Sequence, residues 1–321
     1  MEPLTFWYSL VLTLLVTPLI IKFLIKHNTH KSGKLTLPPG PKPWPIVGSL
    51  PEMIANRPTL KWIQKVMSEL NTEIACIRLG NVHVILVSSP EIAREILKKQ
   101  DFVFASRPIT WSTEYLTGGY LSAALTPYGE QWMKMKKIII NELVSTVRYK
   151  WLQGKRVEEA DNLVRFVYNQ CLKGGGKGLV DVRVATQHYA ANIIRRLFLN
   201  LRYFGKGSGD GGPGLEEVEY VDSLFTMLQY LYAFSVTDFV PCLRGYNLDG
   251  RERIVKNAYK TAKKYHDPII ENRIQEWKNG KKTDKEDLLD ILISLKDADN
   301  NALLTEQEIK SIILVCISPF S

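Results

Sequence analysis

The sequence predicts a mainly α-helical protein with a small β-sheet, an α+β fold, preceded by a single N-terminal transmembrane helix. Three observations predict it. Apolar residues recur at helical spacing through most of the chain after residue 59. Two short β-rich runs meet at Gly80-Asn81, and an uncharged apolar run opens the chain. With 321 residues, 45% of them hydrophobic and 23% charged, the chain is long enough for one large domain or two ordinary ones and should be mostly globular. The expected organisation is a membrane anchor over residues 1–26, a basic flank and Pro-rich hinge over 27–50, and a soluble domain over 51–321.

Leu4 to Ile21 carries no charge and is rich in Leu, Val, Ile, Phe and Trp, and Phe23-Leu24-Ile25 extends it past Lys22. About 20 such residues cross the hydrocarbon core of a bilayer. Trp7 and Tyr8 sit near one end, where interfacial aromatics belong. Lys22, Lys26, Lys31 and Lys34 follow the run, whereas only Glu2 precedes it, so the positive-inside bias leaves the remainder in the cytosol. A cleaved signal peptide would need a basic start, a shorter apolar core and a small-residue cleavage site, and none is present. Pro38, Pro39, Pro41, Pro43 and Pro45 then forbid a helix and predict a stiff, extended spacer.

In the soluble part, Leu60, Ile63, Val66, Met67 and Leu70 predict a helix over Thr59–Leu70. Ile74–Leu79 and Val82–Val87 read as a β-hairpin, and Ser88-Ser89-Pro90-Glu91 as a capped helix start running to about Lys99. Trp111–Tyr128 is Gly- and Thr-rich and reads as a loop. Helices are expected over Gly129–Asn141, Lys155–Leu172, Val184–Leu201, Leu215–Tyr232, Asp249–Asn279 and Glu286–Lys296. The Gly-rich stretches Lys173–Gly178 and Gly205–Gly214 read as exposed loops without phosphate-binding context. Thr305-Glu306-Gln307-Glu308 resembles a capping box that opens a last helix through Ile309–Ile317.

Four scattered cysteines (Cys76, Cys171, Cys242, Cys316) form no CxxC pair, which fits a reducing compartment and argues against a zinc site. The net charge of +9 is spread along helices with enrichment after the apolar run, and no aromatic-interleaved basic stripe points to nucleic acid. His83, His188 and His266 have no ligand spacing and read as surface or packed side chains, so no metal ligand is assigned.

In this order the pieces resemble a cytochrome P450, a eukaryotic membrane-bound haem-thiolate monooxygenase. The resemblance rests on the Pro-rich Leu37–Gly48, on Phe104-Ala105-Ser106-Arg107-Pro108, and on Tyr128-Gly129-Glu130-Gln131-Trp132-Met133-Lys134-Met135-Lys136-Lys137. Further segments, among them Arg202-Tyr203-Phe204-Gly205-Lys206, Asp210-Gly211-Gly212-Pro213-Gly214 and Leu295-Lys296-Asp297-Ala298-Asp299, are similar to the plant amino-acid N-monooxygenases. That resemblance implies conversion of an amino acid to its aldoxime by two N-hydroxylations, feeding cyanogenic glucosides, glucosinolates or related defence compounds. It implies haem as cofactor, an NADPH-dependent reductase as partner, and a place on the cytosolic face of the endoplasmic reticulum membrane.

By the same resemblance Trp132 and Lys136 would bond the haem propionates. Residues four apart share one helix face, although Lys lacks the bidentate fork of the Arg usual there. On spacing alone, a core-facing Trp and a solvated Lys account for the same pattern. Arg107 would reach the haem region or tie down its loop, the second being favoured. Thr110–Ala123 matches the substrate-recognition loop, with Thr113, Glu114 and Tyr115 as candidate substrate contacts. No catalytic residue is assigned. The family's Phe-x-x-Gly-x-Arg-x-Cys-x-Gly loop, whose thiolate holds the iron, has no match in the 321 residues, and neither has the Glu-x-x-Arg pair of the family's K helix. The chain departs from the pattern near Leu314, and Ser318-Pro319-Phe320-Ser321 does not resemble the family. Cys316, in an apolar run, reads as core and not as ligand. The expectation is an incomplete, inactive monooxygenase domain with uncovered apolar helix faces. The alternative is a non-catalytic membrane-tethered interaction module that binds the reductase or another partner.

Overall fold

The structure, a computed structural model, describes residues 37–173, 178–231, 235–240 and 249–317, with residues 13, 16–18, 233, 243, 246 and 247 besides. Apart from residues 13 and 16–18, the expected anchor over 1–26 and most of the basic flank therefore lie outside the described residues. Among the described residues no helix is long and apolar enough to cross a membrane. The chain folds as two compact units, residues 1–104 with 235–244, and residues 105–234 with 245–321.

The first unit is built on the predicted hairpin. Strands β1 (Ile74–Leu79) and β2 (Val82–Val87) pair antiparallel, with Ile74 opposite Val87 and Leu79 opposite Val82. Helix α1 (Leu50–Ala55) precedes them, opened by Pro51, and α2 (Thr59–Glu69) follows it. The sequence reading had no helix at α1, because Pro51 continued the hinge composition. Proline at the first helical turn loses no hydrogen bond there. On α2 the buried face is Trp62, Val66 and Met67, while Leu60 is 66% exposed. The stripe is thus turned from the predicted one.

Two glycines set the approach of the hinge to the sheet. Gly48 (φ 64°) bridges to Leu79, and a Cβ on it would stand 2.2 Å from the Arg78 carbonyl oxygen. Gly80 (φ 55°) makes the hairpin turn under the Phe239 carbonyl, where a Cβ would stand 2.0 Å away. The described end of the Pro-rich segment is pinned to β1 by Cys76 N–H donating to the Pro39 carbonyl (2.9 Å) and Ser49 N–H to that of Arg78 (2.7 Å). Helix α3 (Pro90–Arg94) runs on as a wider π-helical turn over Glu95–Lys99. Ser89 precedes it but does not cap it; its hydroxyl donates to the Glu91 carboxylate (2.9 Å).

The second unit is a helical assembly: α4 (Trp111–Leu116), α5 (Glu130–Ile138, continuing as a π turn to Leu143), α6 (Thr146–Trp151), α7 (Gln153–Lys173), α8 (Val182–Leu199), α9 (Leu215–Leu231), α10 (Arg251–Lys278), α11 (Leu288–Ser294) and α12 (Glu306–Ile317). Helix α4 corrects the expected loop over Trp111–Tyr128. Thr110 and Thr113 form a reciprocal cap, Thr113 taking the place Glu or Gln usually holds. Helix α6 was also missed; Ser145 accepts from the Arg148 N–H to start it.

On α9 the buried Tyr220, Leu224, Met227 and Leu231 recur at helical spacing against Val255, Ala258, Ala262, Ile270 and Ile274 of α10. The two alanines let the helices approach closely. One polar knot lies inside: Arg195 on α8, fully buried, donates to Glu217 on α9 and to Asn192 (both 2.5 Å) and stacks over the Phe204 ring. Buried charges persist only when paired in this way. The loop over Gly205–Gly214 is exposed through Gly209, as expected, and turns inward after it. Asp210 accepts from Gln170 and Lys173 of α7 (2.8 Å each), and Gly212 is buried.

Candidate functional site

The expected pair sits on α5, whose three sides have three tasks. Met135 and Ile138 face the core. Gln131 and Lys134 donate to Glu308 Oε1 on α12 (3.0 and 2.8 Å), fixing α5 against the last helix. Trp132 and Lys136 occupy the remaining side, Trp132 half-buried and tilted on Tyr128 (5.1 Å between ring centres), Lys136 exposed with its ammonium 4.5 Å above the Trp132 ring. Among the described residues, neither the indole N–H nor the Lys136 ammonium is spent on a protein acceptor. The two stand together as an N–H donor and a cation on one helix face, the chemistry that binds a carboxylate.

Glu308 is drawn in opposite directions. Burial raises its pKa, while hydrogen bonds from Lys134, the Thr305 N–H and Gln131 outweigh that and hold it below the usual carboxylate range. It therefore stays charged and keeps α5 and α12 in register near neutral pH.

Arg107 is exposed and its Nε donates to the Ala124 carbonyl (3.3 Å), which ties the two ends of the loop around α4. The three candidates on α4 point apart. Thr113 is buried and its hydroxyl is used in the helix cap; Glu114 faces solvent; Tyr115 stacks on Trp111 (5.2 Å) and meets Tyr259 of α10 edge-on (5.1 Å). They share one short helix but not one surface.

A feature the sequence reading missed is an apolar cavity of about 950 Å³ in the second unit. It lies between the end of α5 (Ile139, Leu143), α8 (Ile193, Leu197) and the end of α12 (Val315, Cys316). Its lining runs from Ala124 to Cys316, so no local pattern announces it. Cys316 borders it, and burial pushes its thiol up to about 12. Cys76, buried in the first unit, is likewise raised by burial, and Cys242 lies outside the described residues. Among the described residues no three His, Cys, Asp or Glu side chains come together as a metal site. His188 and His266 are buried and His83 is exposed, as packed or surface histidines are.

Residues 38–317 match the cytochrome P450 family. Among curated proteins, the chain is 53% identical over 311 residues to isoleucine N-monooxygenase 1 of Lotus japonicus, covering 96% of this chain and 58% of the relative. It is 52% identical over 304 residues to a tryptophan N-monooxygenase of Prunus mume, covering 94% and 57%. It is 48% identical over 310 residues to a phenylalanine N-monooxygenase of Arabidopsis thaliana, covering 94% and 59%. The chain thus spans somewhat over half the length of the curated relatives it matches.

Proposed function

The chain belongs to the cytochrome P450 family, and from that premise we propose that it is the anchor, substrate-loop and propionate-binding portion of an amino-acid N-monooxygenase. The observation that carries this reading is the likeness, near 50% identity, to relatives named as N-monooxygenases of amino acids. In the whole enzyme the reaction would insert oxygen at the amino nitrogen, in two successive N-hydroxylations that end in the aldoxime. The named substrates of equally similar relatives run from isoleucine to tryptophan, so the amino-acid side chain accepted stays open.

The residues present fit haem at one end. Trp132 and Lys136 are the right donors for a propionate, and both are free of other acceptors among the described residues. At the iron the fit is to the family's pattern only: none of Cys76, Cys171, Cys242 and Cys316 stands in a Phe-x-x-Gly-x-Arg-x-Cys-x-Gly loop, so we assign none of them as the thiolate ligand. The apolar run at Leu4–Ile21 and the lysines after it support an endoplasmic reticulum membrane anchor, with the remainder cytosolic and an NADPH-dependent reductase as electron donor.

A second reading, a non-catalytic membrane-tethered module that binds the reductase or another partner, is favoured by the exposed Lys136 and Lys137 on α5, which suit an acidic partner. Joining residues 1–317 to the corresponding C-terminal remainder of the Lotus relative tests the first reading. With reductase and NADPH, the chimera is expected to form an aldoxime from at least one of isoleucine, valine, phenylalanine or tryptophan. A chimera that takes up haem as a thiolate complex yet yields no aldoxime from any of these would contradict it.

A further inference from the structure

Away from α5, a small polar pocket lies where α10 and α12 meet the end of α4, wholly within the second unit. His266 and Asp267 of α10, Lys310 and Ser311 of α12, and Gly118 just after α4 border it. Its free volume is about 20 Å³, above the roughly 10–15 Å³ that a single water needs. His266 is 1% exposed, and neither ring nitrogen has a hydrogen-bond partner; Asp267 Oδ1 has none either. Nδ1 and Oδ1 stand 2.9 Å apart, close enough for the imidazole to hold the Asp267 carboxyl below its usual range, but the angle between them is not that of an N–H···O bond. Buried donors and acceptors are rarely left so.

The charges around the pocket narrow the occupant. Lys310 is spent on Glu271 (2.6 Å) and Glu306 (2.7 Å), and Lys263 on Asp267 Oδ2 (3.3 Å). No cation remains to hold an anion. A metal ion would meet one imidazole and one carboxylate, His266 and Asp267, with the ammonium groups of Lys263 and Lys310 beside them to repel it. What is left is a neutral molecule, no larger than the pocket, that donates and accepts at once.

We propose that this pocket is a binding site for one ordered water, which accepts from the protonated ring nitrogen of His266 and donates to Asp267 Oδ1. The site is a hydrated joint between α10, α12 and α4. Beside it the Ser311 hydroxyl donates to the Thr117 carbonyl at the end of α4 (3.0 Å), making the direct half of the same connection.

A crystal structure of the full chain in detergent, at a resolution that shows solvent, is expected to contain one spherical density peak within about 3.2 Å of both groups. Well-defined side chains around an empty pocket would overturn the proposal, as would a peak with the coordination of a chloride or a metal ion. In solution, oxygen-17 relaxation dispersion of water counts long-lived internal waters. His266→Phe, which fills the pocket, is expected to lower the dispersion amplitude by about one water, and an unchanged amplitude in a folded variant overturns the site. The crystal measurement uses the unsubstituted chain, so it decides the matter even where the variant does not fold.

Discussion

Asp210 shows how much one side chain in a Gly-rich loop can do. Hydrogen bonds from Lys173 and Ser208 hold its carboxyl well below the usual range, and the Gly212 N–H adds to them. Such a depressed carboxyl adds stability that is complete above the unfolded value, about 3.9, and is lost as pH falls through the folded value. Asp210→Asn should therefore lower the urea midpoint near pH 7 and lower it progressively less below about pH 4. A gap that stays constant from about pH 7 to pH 3 would show that the charge at Asp210 is not what ties the loop to α7. At the same scale, that Trp132 and Lys136 share a face was legible because residues four apart on a helix do, whereas a propionate role for them came only from the family resemblance. Thr113 was not legible as a cap, because its role depends on Thr110 receiving and returning a hydrogen bond through backbone geometry.

At the scale of elements, α12 is the clearest case of a sequence signal that holds. Thr305 Oγ1 accepts from the Glu308 N–H (3.2 Å) and Glu308 Oε2 accepts from the Thr305 N–H (2.8 Å), the capping box read from the sequence. What the sequence could not show is that Oε1 of the same carboxylate also gathers Gln131 and Lys134 from α5, some 175 residues earlier. Thr305→Ala is expected to cost about 1 kcal/mol in urea unfolding. Glu308→Ala should cost more, about 2–3 kcal/mol, because it also strands two donors on α5. Equal losses for the two would mean that the contact to α5 contributes nothing. Helix existence was legible wherever apolar spacing was long and regular, as on α9 and α10. It failed at α1, α4 and α6, which have six residues each and are opened by proline or hydroxyl caps within loop-like composition.

At the scale of the molecule, the helices after residue 104 form one apolar core, yet they leave an apolar cavity of about 950 Å³ between α5, α8 and α12. Val144, which borders it, is 66% exposed. An exposed apolar surface of that kind is a place for association. The mainly helical class and the small sheet followed from periodicity, but the cavity could not, since it depends on how distant helices cross. The proposal at this scale is that Trp132 and Lys136 would meet a haem propionate while none of Cys76, Cys171, Cys242 and Cys316 holds the iron. The measurement that tests it most directly is a reduced, carbon monoxide-bound difference spectrum of the 321-residue chain in microsomes, with the protein level checked by immunoblot. The account predicts no thiolate-type Soret band while the protein is present in the membrane. A thiolate-type band that disappears in Cys316→Ala would contradict it, by showing that a thiol buried in an apolar wall can be ionised to hold iron.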